Sequence, residues 1–314
     1  MAGWDESRVT DQSGKTFVIT GANSGVGLEA ARVLASHGGN VVLGCRDPQR
    51  AEAARAELAA KATGDVTTIA LDLADIDSVR RCADELRELH PQIDVLVNNA
   101  GVMGGARTST AQGFERQMGT NHLGHFLLTE LLWPAVTAAG DGRVVNVSSL
   151  ASRGGKLDAD MTRATLVDPD PYREMAVYNN TKQANLLFTA ELQRRVDRSG
   201  LAVRAVAVHP GVSATKLLGR QVRENKLPFI RVLAPAADVF TRVAFQSGAA
   251  GALPTVRAAV DPEVKGGAFV GPTTLGGSRG KPEIIDMFAT GTDEKTAVRL
   301  WELTEEILGE PFPV

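Results

Sequence analysis

The sequence predicts an α/β fold: one parallel sheet, doubly wound, with helices on both faces. Three observations support this. Short apolar runs recur along the chain, beginning at residues 16–20, as expected for strands buried on both faces. Helical patterns of apolar residues separate these runs. Glycines and polar side chains follow several of the runs, at the strand ends where open parallel sheets bind ligands. About seven strands are expected, in a single domain over residues 1–314.

Composition excludes several classes of protein. The chain has 314 residues, a formal net charge of −3 and 43% hydrophobic residues, which suits a globular domain with a sizeable core. The small net charge gives no reason to expect nucleic acid as a partner. Cys45 and Cys82 lack a paired spacing, which indicates a reducing compartment and no metal site. With no apolar run of membrane-spanning length and a polar start, we expect a cytoplasmic protein.

A glycine-rich turn joins the first strand to the first helix. Glycines let the backbone approach a phosphate, and the amino end of a helix presents free N–H groups to it. The strand–turn–helix order therefore predicts a phosphate-binding turn. Its candidate cofactor contacts are Gly21, Asn23, Ser24, Gly25, Val26 and Gly27.

The end of the second strand, at residues 41–44, should lie near the adenosine ribose. Sites for NAD usually place an acidic residue there. Here Cys45 holds that position and Arg46 follows, which suits a 2′-phosphate. Asp47 leaves the question open, because it could instead cap the helix that begins at Pro48. We expect NADP, with NAD still possible.

Polar residues also follow the next strands. Asp72 and Leu73 come after the third strand, and Asn98-Asn99-Ala100-Gly101 after the fourth. The fifth ends in Ser148 and Ser149, between which alternation does not choose. A long apolar helix over about residues 110–139 carries Asn121, an amide that is costly to bury without partners. His122 and His125 lack a third ligand, so we expect packing or solvent positions for them.

Tyr178 and Lys182 are four residues apart in a predicted helix over residues 175–195. They should therefore share one helix face. At about 5 Å and an effective dielectric of about 20, Coulomb's law gives roughly 3 kcal/mol of attraction between a phenolate and an ammonium. We expect this attraction to lower the tyrosine pKa towards about 8 and to make the pair an acid–base device.

Two segments bear on the substrate. Residues 150–176 are too long for a tight turn and are predicted to form an insertion over the site. Residues 212–235, which follow the sixth strand and Pro210-Gly211, are unusually apolar. They fit a lid over an apolar substrate, a patch facing a partner or membrane, or a helix packed on the core.

Together these motifs resemble the short-chain dehydrogenase/reductase family, most closely its retinol dehydrogenase-like branch. The resemblance covers most of the chain and implies a Rossmann-type fold. It rests on Thr20-Gly21-x-x-x-Gly25-x-Gly27, Asp72, Asn98-Asn99-Ala100-Gly101, Asn121, Ser149, Tyr178-x-x-x-Lys182 and Pro210-Gly211 with Thr215.

By this resemblance Tyr178 is the general acid/base, Lys182 lowers its pKa and holds the nicotinamide ribose, and Ser149 polarises the carbonyl. Asn121 is expected to bend its helix and hold a water, and Thr215 to reach the nicotinamide end. The catalytic set is then Asn121, Ser149, Tyr178 and Lys182. Beyond the turn, the cofactor contacts are Arg46, Asp72, Leu73, Asn99, Ala100, Gly101, Tyr178, Lys182, Pro210, Gly211 and Thr215.

We therefore expect an NADP-preferring oxidoreductase that acts on a carbonyl or secondary alcohol of an apolar small molecule. The alternative is a catalytically silent dinucleotide sensor or scaffold with the same fold. Homo-oligomerisation is possible. The sequence names neither the substrate nor the physiological direction.

Overall fold

A computed structural model describes residues 3–212 and 246–314 of the chain. Within them, eight strands form one sheet in the order β3-β2-β1-β4-β5-β6-β7-β8. Neighbours pair in parallel as far as β7, and β8 is antiparallel to β7. The strands are β1 Thr16–Thr20, β2 Asn40–Cys45, β3 Val66–Ala70, β4 Val95–Asn98, β5 Gly142–Val147, β6 Val203–Val208, β7 Phe269–Thr274 and β8 Arg279–Ile285. The strand order changes direction between β1 and β4, which opens a crevice at their carboxyl ends.

Helices cover both faces of the sheet. They are α1 Gly25–Ser36, α2 Pro48–Ala59, α3 Ile76–Leu89, α4 Arg116–Met118, α5 Gly124–Ala138, α6 Arg163–Val167, α7 Glu174–Ser199, α8 Gly248–Val260 and α9 Glu294–Leu308. Phe17 and Ile19 of β1 pack among α1, α2 and α8, whereas Val18 packs among α3, α5, α7 and α9. Successive β1 residues thus enter opposite core layers, which explains why the strand is apolar throughout. The predicted fold class is confirmed. None of the helices in the described ranges has the length and apolarity needed to cross a bilayer.

The eighth strand is one more than the sequence predicted. Its sequence, RGKPEII, is mostly polar and contains Pro282, which cannot donate to a sheet ladder. An edge strand tolerates that residue because one of its sides has no neighbouring strand. The segment therefore lacks the apolar run that identified the central strands.

The predicted long helix over residues 110–139 is broken near its start. The short helix α4 passes into a π-helical turn, Gly119–Leu123, and only then into α5. Asn121 lies in the middle of the turn. Isolated π turns occur frequently at functional sites.

The insertion at residues 150–176 does not lie over the site as a whole. It contains the 3₁₀ turn Leu150–Gly154 and helix α6. Leu157, Met161 and Leu166 are buried in a satellite core with residues of α7 and α9. From the insertion, Leu150, Ala151 and Met175, near its two ends, line the cleft described below. Burial of its apolar residues against α9 accounts for this placement.

Candidate active site

A cleft of about 850 Å³ lies at the carboxyl ends of the parallel strands. It brings together residues that are far apart in sequence, from the glycine turn to the residues after β6. The predicted site residues on its wall are Gly21, Asn23, Ser24, Gly25, Val26, Gly27, Arg46, Asp72, Leu73, Asn99, Ala100, Gly101, Ser149, Tyr178, Lys182, Pro210 and Gly211. Asn121 lies behind the wall and is fully buried. Thr215 and nearly all of the predicted lid fall outside the described residues.

The glycine turn forms an open cradle at one end of the cleft. Gly21 has a φ of +66°, which a side chain would strain. A Cβ at Gly27 would lie 2.4 Å from Asn99 Nδ2 and 3.0 Å from the Gly21 carbonyl oxygen, so α1 can pack this closely only with glycine there. Ser24 precedes α1 without a capping side-chain hydrogen bond. The first N–H groups of the helix are therefore available to an anion.

Thr20 ties this turn to the loop after β4. Its Oγ1 accepts from the backbone N–H groups of Asn99 and Ala100, each at 2.9 Å. The Asn99 side chain donates back to the Thr20 carbonyl at 2.7 Å. His125 Nε2 lies 2.8 Å from Thr20 Oγ1, and its Nδ1 lies 3.1 Å from the Asn121 carbonyl oxygen. His125 is thus more than a packing residue, because its ring connects the π turn to Thr20 at the end of β1.

The second loop of the cleft, after β2, contains two arginines. Asp47 caps α2, accepting from the N–H groups of Gln49 and Arg50 at 3.1 Å each. Arg46 and Arg50 are exposed on the cleft wall, and no carboxylate among the described residues pairs with either. The cap role left open for Asp47 is the one it takes, and the guanidinium groups face the cleft without competition.

Asp72 combines a turn role with its position on the cleft. Its Oδ1 accepts from the Ala74 N–H at 3.0 Å, and its own N–H donates to Ser78 Oγ at 3.0 Å. Leu73 follows it on the same wall. These bonds fix the loop after β3 where it borders the cleft.

Asn121 is held by three hydrogen bonds. Its Oδ1 accepts from the Val102 N–H at 2.8 Å, and its Nδ2 donates to the Val102 carbonyl at 2.9 Å and to Thr181 Oγ1 at 3.0 Å. The Thr181 hydroxyl in turn donates to the Tyr178 carbonyl at 2.8 Å. This fully satisfied amide links the π turn, the loop after β4 and the helix that carries Tyr178.

Geometry separates the two serines that alternation could not. The buried Ser148 hydroxyl donates to the Lys182 carbonyl at 2.7 Å and so holds β5 against α7. Ser149 is half-buried, and its side chain is near enough to Tyr178 to affect the pKa of the phenol. Its Oγ accepts from the Ala151 N–H at 3.2 Å. Both serines border the cleft, but the Ser148 hydroxyl is used by the Lys182 carbonyl, so Ser149 is the serine whose hydroxyl neighbours the tyrosine.

Tyr178 and Lys182 do lie together on α7, with the lysine Nζ 5.9 Å from the tyrosine ring centre. Burial raises the pKa of Tyr178, and the nearby Ser149 hydroxyl acts in the opposite direction. Burial also lowers the pKa of Lys182 to about 8. The expectation of a lowered tyrosine pKa is wrong in sign, because removing the phenolate from water outweighs its stabilisation by neighbours.

The Lys182 side chain is held by strand β5. Its Nζ donates to the Val147 carbonyl at 2.9 Å, which leaves further N–H groups of the ammonium for other acceptors. A Cβ at Gly101 would lie 3.6 Å from this Nζ and 3.4 Å from Asn121 Oδ1. The lysine head thus borders the same loop that Asn121 positions.

The roles of several site residues were missed from sequence. Thr20, Thr181 and His125 make buried hydrogen bonds between elements, and Arg50 joins Arg46 at the cleft. Arg50 could have been found, because it lies four residues after Arg46 and only one helical turn into α2. For Thr181 no signal was available, since a threonine between Tyr178 and Lys182 looks like a spacer.

The glycine cradle, the switch-point cleft and the Ser149–Tyr178 contact define an NAD(P)-dependent oxidoreductase. The short chain dehydrogenase family model matches residues 15–159. The chain belongs to the short-chain dehydrogenase/reductase family.

Two curated relatives show how far this likeness extends. Mouse retinol dehydrogenase 14 is 36% identical over 308 residues, which cover 94% of this chain and 86% of that protein. Human retinol dehydrogenase 13 is 43% identical over 209 residues, which cover 65% of this chain and 60% of that protein. The likeness to the first spans nearly the whole chain, so it includes the insertion.

Two solved structures share the fold. An uncharacterised protein from Mycobacterium paratuberculosis is 37% identical, with a TM-score of 0.81 and full coverage of both chains. The L-sorbose reductase of Gluconobacter frateurii, solved with NADPH and L-sorbose, is 25% identical, with a TM-score of 0.63 and coverage of 82% of this chain and 95% of that one.

Proposed function

We propose that this protein transfers hydride between NADP(H) and a carbonyl or secondary alcohol of an apolar small molecule, with Tyr178 as general acid/base. The observation that carries the proposal is that Ser149, Tyr178 and Lys182 lie together on the cleft wall. Lys182 lies one helical turn further along, and the phosphate cradle occupies the other end of the same cleft. Proton donor, oxygen-binding hydroxyl and dinucleotide site thus share one cavity.

The side chains divide the chemistry between them. A raised pKa keeps Tyr178 protonated at neutral pH, as the acid in carbonyl reduction must be. Because Ser149 Oγ accepts from a backbone N–H, its own proton remains available for the substrate oxygen, where charge develops. The Lys182 ammonium stabilises the phenolate that forms as Tyr178 gives up its proton.

The cleft residues fit a nicotinamide dinucleotide. When bound, the dinucleotide supplies or accepts the hydride. The turn from Gly21 to Gly27 would hold its phosphates, since no Ser24 side-chain cap occupies the first N–H groups of α1. Lys182 would hold the ribose hydroxyls with the N–H groups not used by Val147. Asp72 and Asn99 would border the adenosine half and the adjoining ribose.

The guanidinium groups of Arg46 and Arg50, which pair with no carboxylate of residues 3–212 or 246–314, support a preference for NADP over NAD. Asp47 faces the backbone of α2 and does not compete with Arg46 and Arg50 for a 2′-phosphate. The L-sorbose reductase relative, solved with NADPH, is in keeping with this choice.

Replacement of Arg46 tests the cofactor assignment. We expect Arg46→Asp to weaken NADPH binding by roughly 10- to 100-fold, because a hydrogen bond to a charged group contributes about 1.5–3 kcal/mol. NADH, which has no 2′-phosphate, should be affected little. Dissociation constants by fluorescence titration measure both. Arg55→Asp is the matched control, since Arg55 lies on α2, the helix just after Arg46, but pairs with Glu52 and does not line the cleft. Equal weakening of both dinucleotides by Arg46→Asp would refute the 2′-phosphate role.

An apolar substrate is inferred from the residues around the Ser149–Tyr178 pair. Val102, Met103, Leu150, Ala151 and Met175 line this part of the cleft. Two of the relatives are named retinol dehydrogenases, which is compatible with an extended apolar alcohol or aldehyde. Consumption of NADPH with a panel of apolar aldehydes and ketones tests the function. Tight NADPH binding without turnover on any of them would favour the sensor alternative.

The rate of carbonyl reduction should depend on pH through Lys182. Because burial lowers its pKa to about 8, the ammonium is charged at neutral pH and loses its proton as the pH rises through that value. Its stabilisation of the Tyr178 phenolate is then lost. We therefore expect kcat/KM for reduction to be level through neutral pH and to fall above about pH 8. In Lys182→Arg the charge persists, so the fall in kcat/KM should begin at a higher pH. A fall that begins at the same pH in both proteins would contradict the assignment.

A further inference from the structure

The loop after β4 supplies part of the apolar wall of the cleft that contains Tyr178. Val102 and Met103 line the cleft, whereas Gly104 and Gly105 behind them do not. Asn121 fixes the near end of the loop through both backbone groups of Val102. The position of the wall therefore depends on what holds the far end.

Four side chains bond that far end: Arg116 and Tyr172 donate to the carbonyls of Gly104 and Gly105 at 3.2 and 3.4 Å, and two others accept from the N–H groups. The Gly104 N–H donates to Gln117 Oε1 at 2.9 Å, and the Gly105 N–H donates to Glu174 Oε2 at 2.8 Å. Gln117 belongs to α4, just before the π turn, and Glu174 is the first residue of α7. The loop is thus tied to the two elements that carry Asn121 and Tyr178.

Gln117 is itself fixed by the end of the insertion. It is fully buried, and its Nε2 donates to the Tyr172 hydroxyl at 3.1 Å and to the Glu174 carbonyl at 2.9 Å. Each of its three hydrogen-bonding contacts is to the loop or to residues 172–174. A buried amide with all of these partners has one orientation, so it holds the loop at a fixed distance from the insertion.

Glu174 connects the loop after β4 to the helix that carries Tyr178. It precedes Tyr178 by four residues on α7, so the two side chains lie on one helix face, about 5–6 Å apart at Cβ. The carboxylate that holds Gly105 therefore also fixes the Val102–Met103 wall relative to the tyrosine hydroxyl.

We propose that Gln117, Tyr172 and Glu174 form a clamp that sets the Val102–Met103 wall against Tyr178 and thereby selects carbonyl compounds by size. The proposal rests on the proposed function. It also gives the insertion a role: the insertion shapes the pocket from behind the loop. The three clamp residues are positioning residues, because none of them lines the cleft.

Substitution of Glu174 tests whether it positions the Val102–Met103 wall or only stabilises the fold. Glu174→Ala removes the acceptor for the Gly105 N–H, whereas Glu174→Gln keeps a side-chain oxygen there. The assay is NADPH-dependent reduction of straight-chain aldehydes of increasing length. For Glu174→Ala we expect the kcat/KM ratio of the longest to the shortest aldehyde to change by about tenfold, the scale of discrimination by pocket shape. The kcat for the shortest aldehyde and the Kd for NADPH should stay at their wild-type values. Glu174→Gln should have the wild-type kcat/KM ratio.

Hydrogen exchange of the backbone amides in residues 101–108 provides a readout independent of activity. Exchange at Gly104 and Gly105 should be faster in Glu174→Ala than in the wild type and in Glu174→Gln. Unchanged exchange, or an equal loss of activity on every aldehyde, would overturn the clamp. If the wild type reduces no aldehyde or ketone, the proposed function fails and the size selection with it, while the exchange comparison still decides whether the loop is held by Glu174.

Discussion

Replacement of Tyr178 by Phe should lower kcat by about 10²- to 10⁴-fold, the usual contribution of a positioned general acid or base. The Tyr178 phenol lies on the cleft wall beside Ser149, keeps its proton at neutral pH and shares a helix face with Lys182. Phenylalanine keeps the ring and its packing and removes only the hydroxyl. The loss should therefore appear in turnover and not in folding. Steady-state reduction of an apolar aldehyde with NADPH measures it.

The same variant provides its own control. The phosphate cradle and the arginines are at the other end of the cleft. The Kd for NADPH should therefore stay within about twofold of the wild type, whereas a tenfold change would correspond to about 1.4 kcal/mol of binding free energy. Turnover undiminished in Tyr178→Phe would remove the tyrosine from the mechanism. Loss of NADPH binding together with turnover would instead indicate damage to the cleft.

Replacement of Asn121 by Leu should damage both stability and turnover. Leucine is close in size to asparagine but leaves the Val102 N–H and carbonyl without their partners in a buried site. An unsatisfied buried group costs about 1–3 kcal/mol, so we expect the free energy of unfolding to fall by about 2–5 kcal/mol. Turnover should fall as well, because the Val102 loop and the Thr181 link to the Tyr178 helix are both released. Urea unfolding and kcat at a temperature where the variant is folded measure the two effects.

Thr181→Val is the graded comparison for Asn121. It removes one partner of the asparagine and keeps the side-chain shape, so its loss of stability should be smaller, about 1–2 kcal/mol. Thr181→Ser, which retains the hydroxyl, should approach the wild type. If folded Asn121→Leu turned over like the wild type, the π turn would have no part in holding the site.

The sequence predicted the central sheet closely because those strands are buried on both faces. Residues 16–20 coincide with β1, and residues 41–44 fall within β2. The edge strand β8 was missed because most of its residues are polar and only partly buried, so it has no continuous apolar run. The π turn was also missed, since a shift of helical hydrogen bonds by one residue leaves no trace in apolar spacing. Family resemblance marked Asn121 as special, and the structure supplies the hydrogen bonds that explain it.

At the site, residue types and strand ends predicted which residues meet, and burial decided how they behave. The spacing of Tyr178 and Lys182 placed them on one face, but the sign of the tyrosine pKa shift required knowledge of their desolvation. Ser149 was distinguished from Ser148 by resemblance and then by geometry. Long-range ties such as Thr20 to Asn99 and Gln117 to Gly104 join residues whose proximity only the fold creates.

The most direct test of the central claim is the transfer of deuterium from NADPH labelled at the nicotinamide C4 to an apolar aldehyde, followed by mass spectrometry of the alcohol. We predict deuterium at the former carbonyl carbon with the wild-type protein and very little with Tyr178→Phe at the same NADPH occupancy. NADPH that remains bound while no labelled alcohol forms from any aldehyde or ketone, or equal labelling by Tyr178→Phe, would contradict the account.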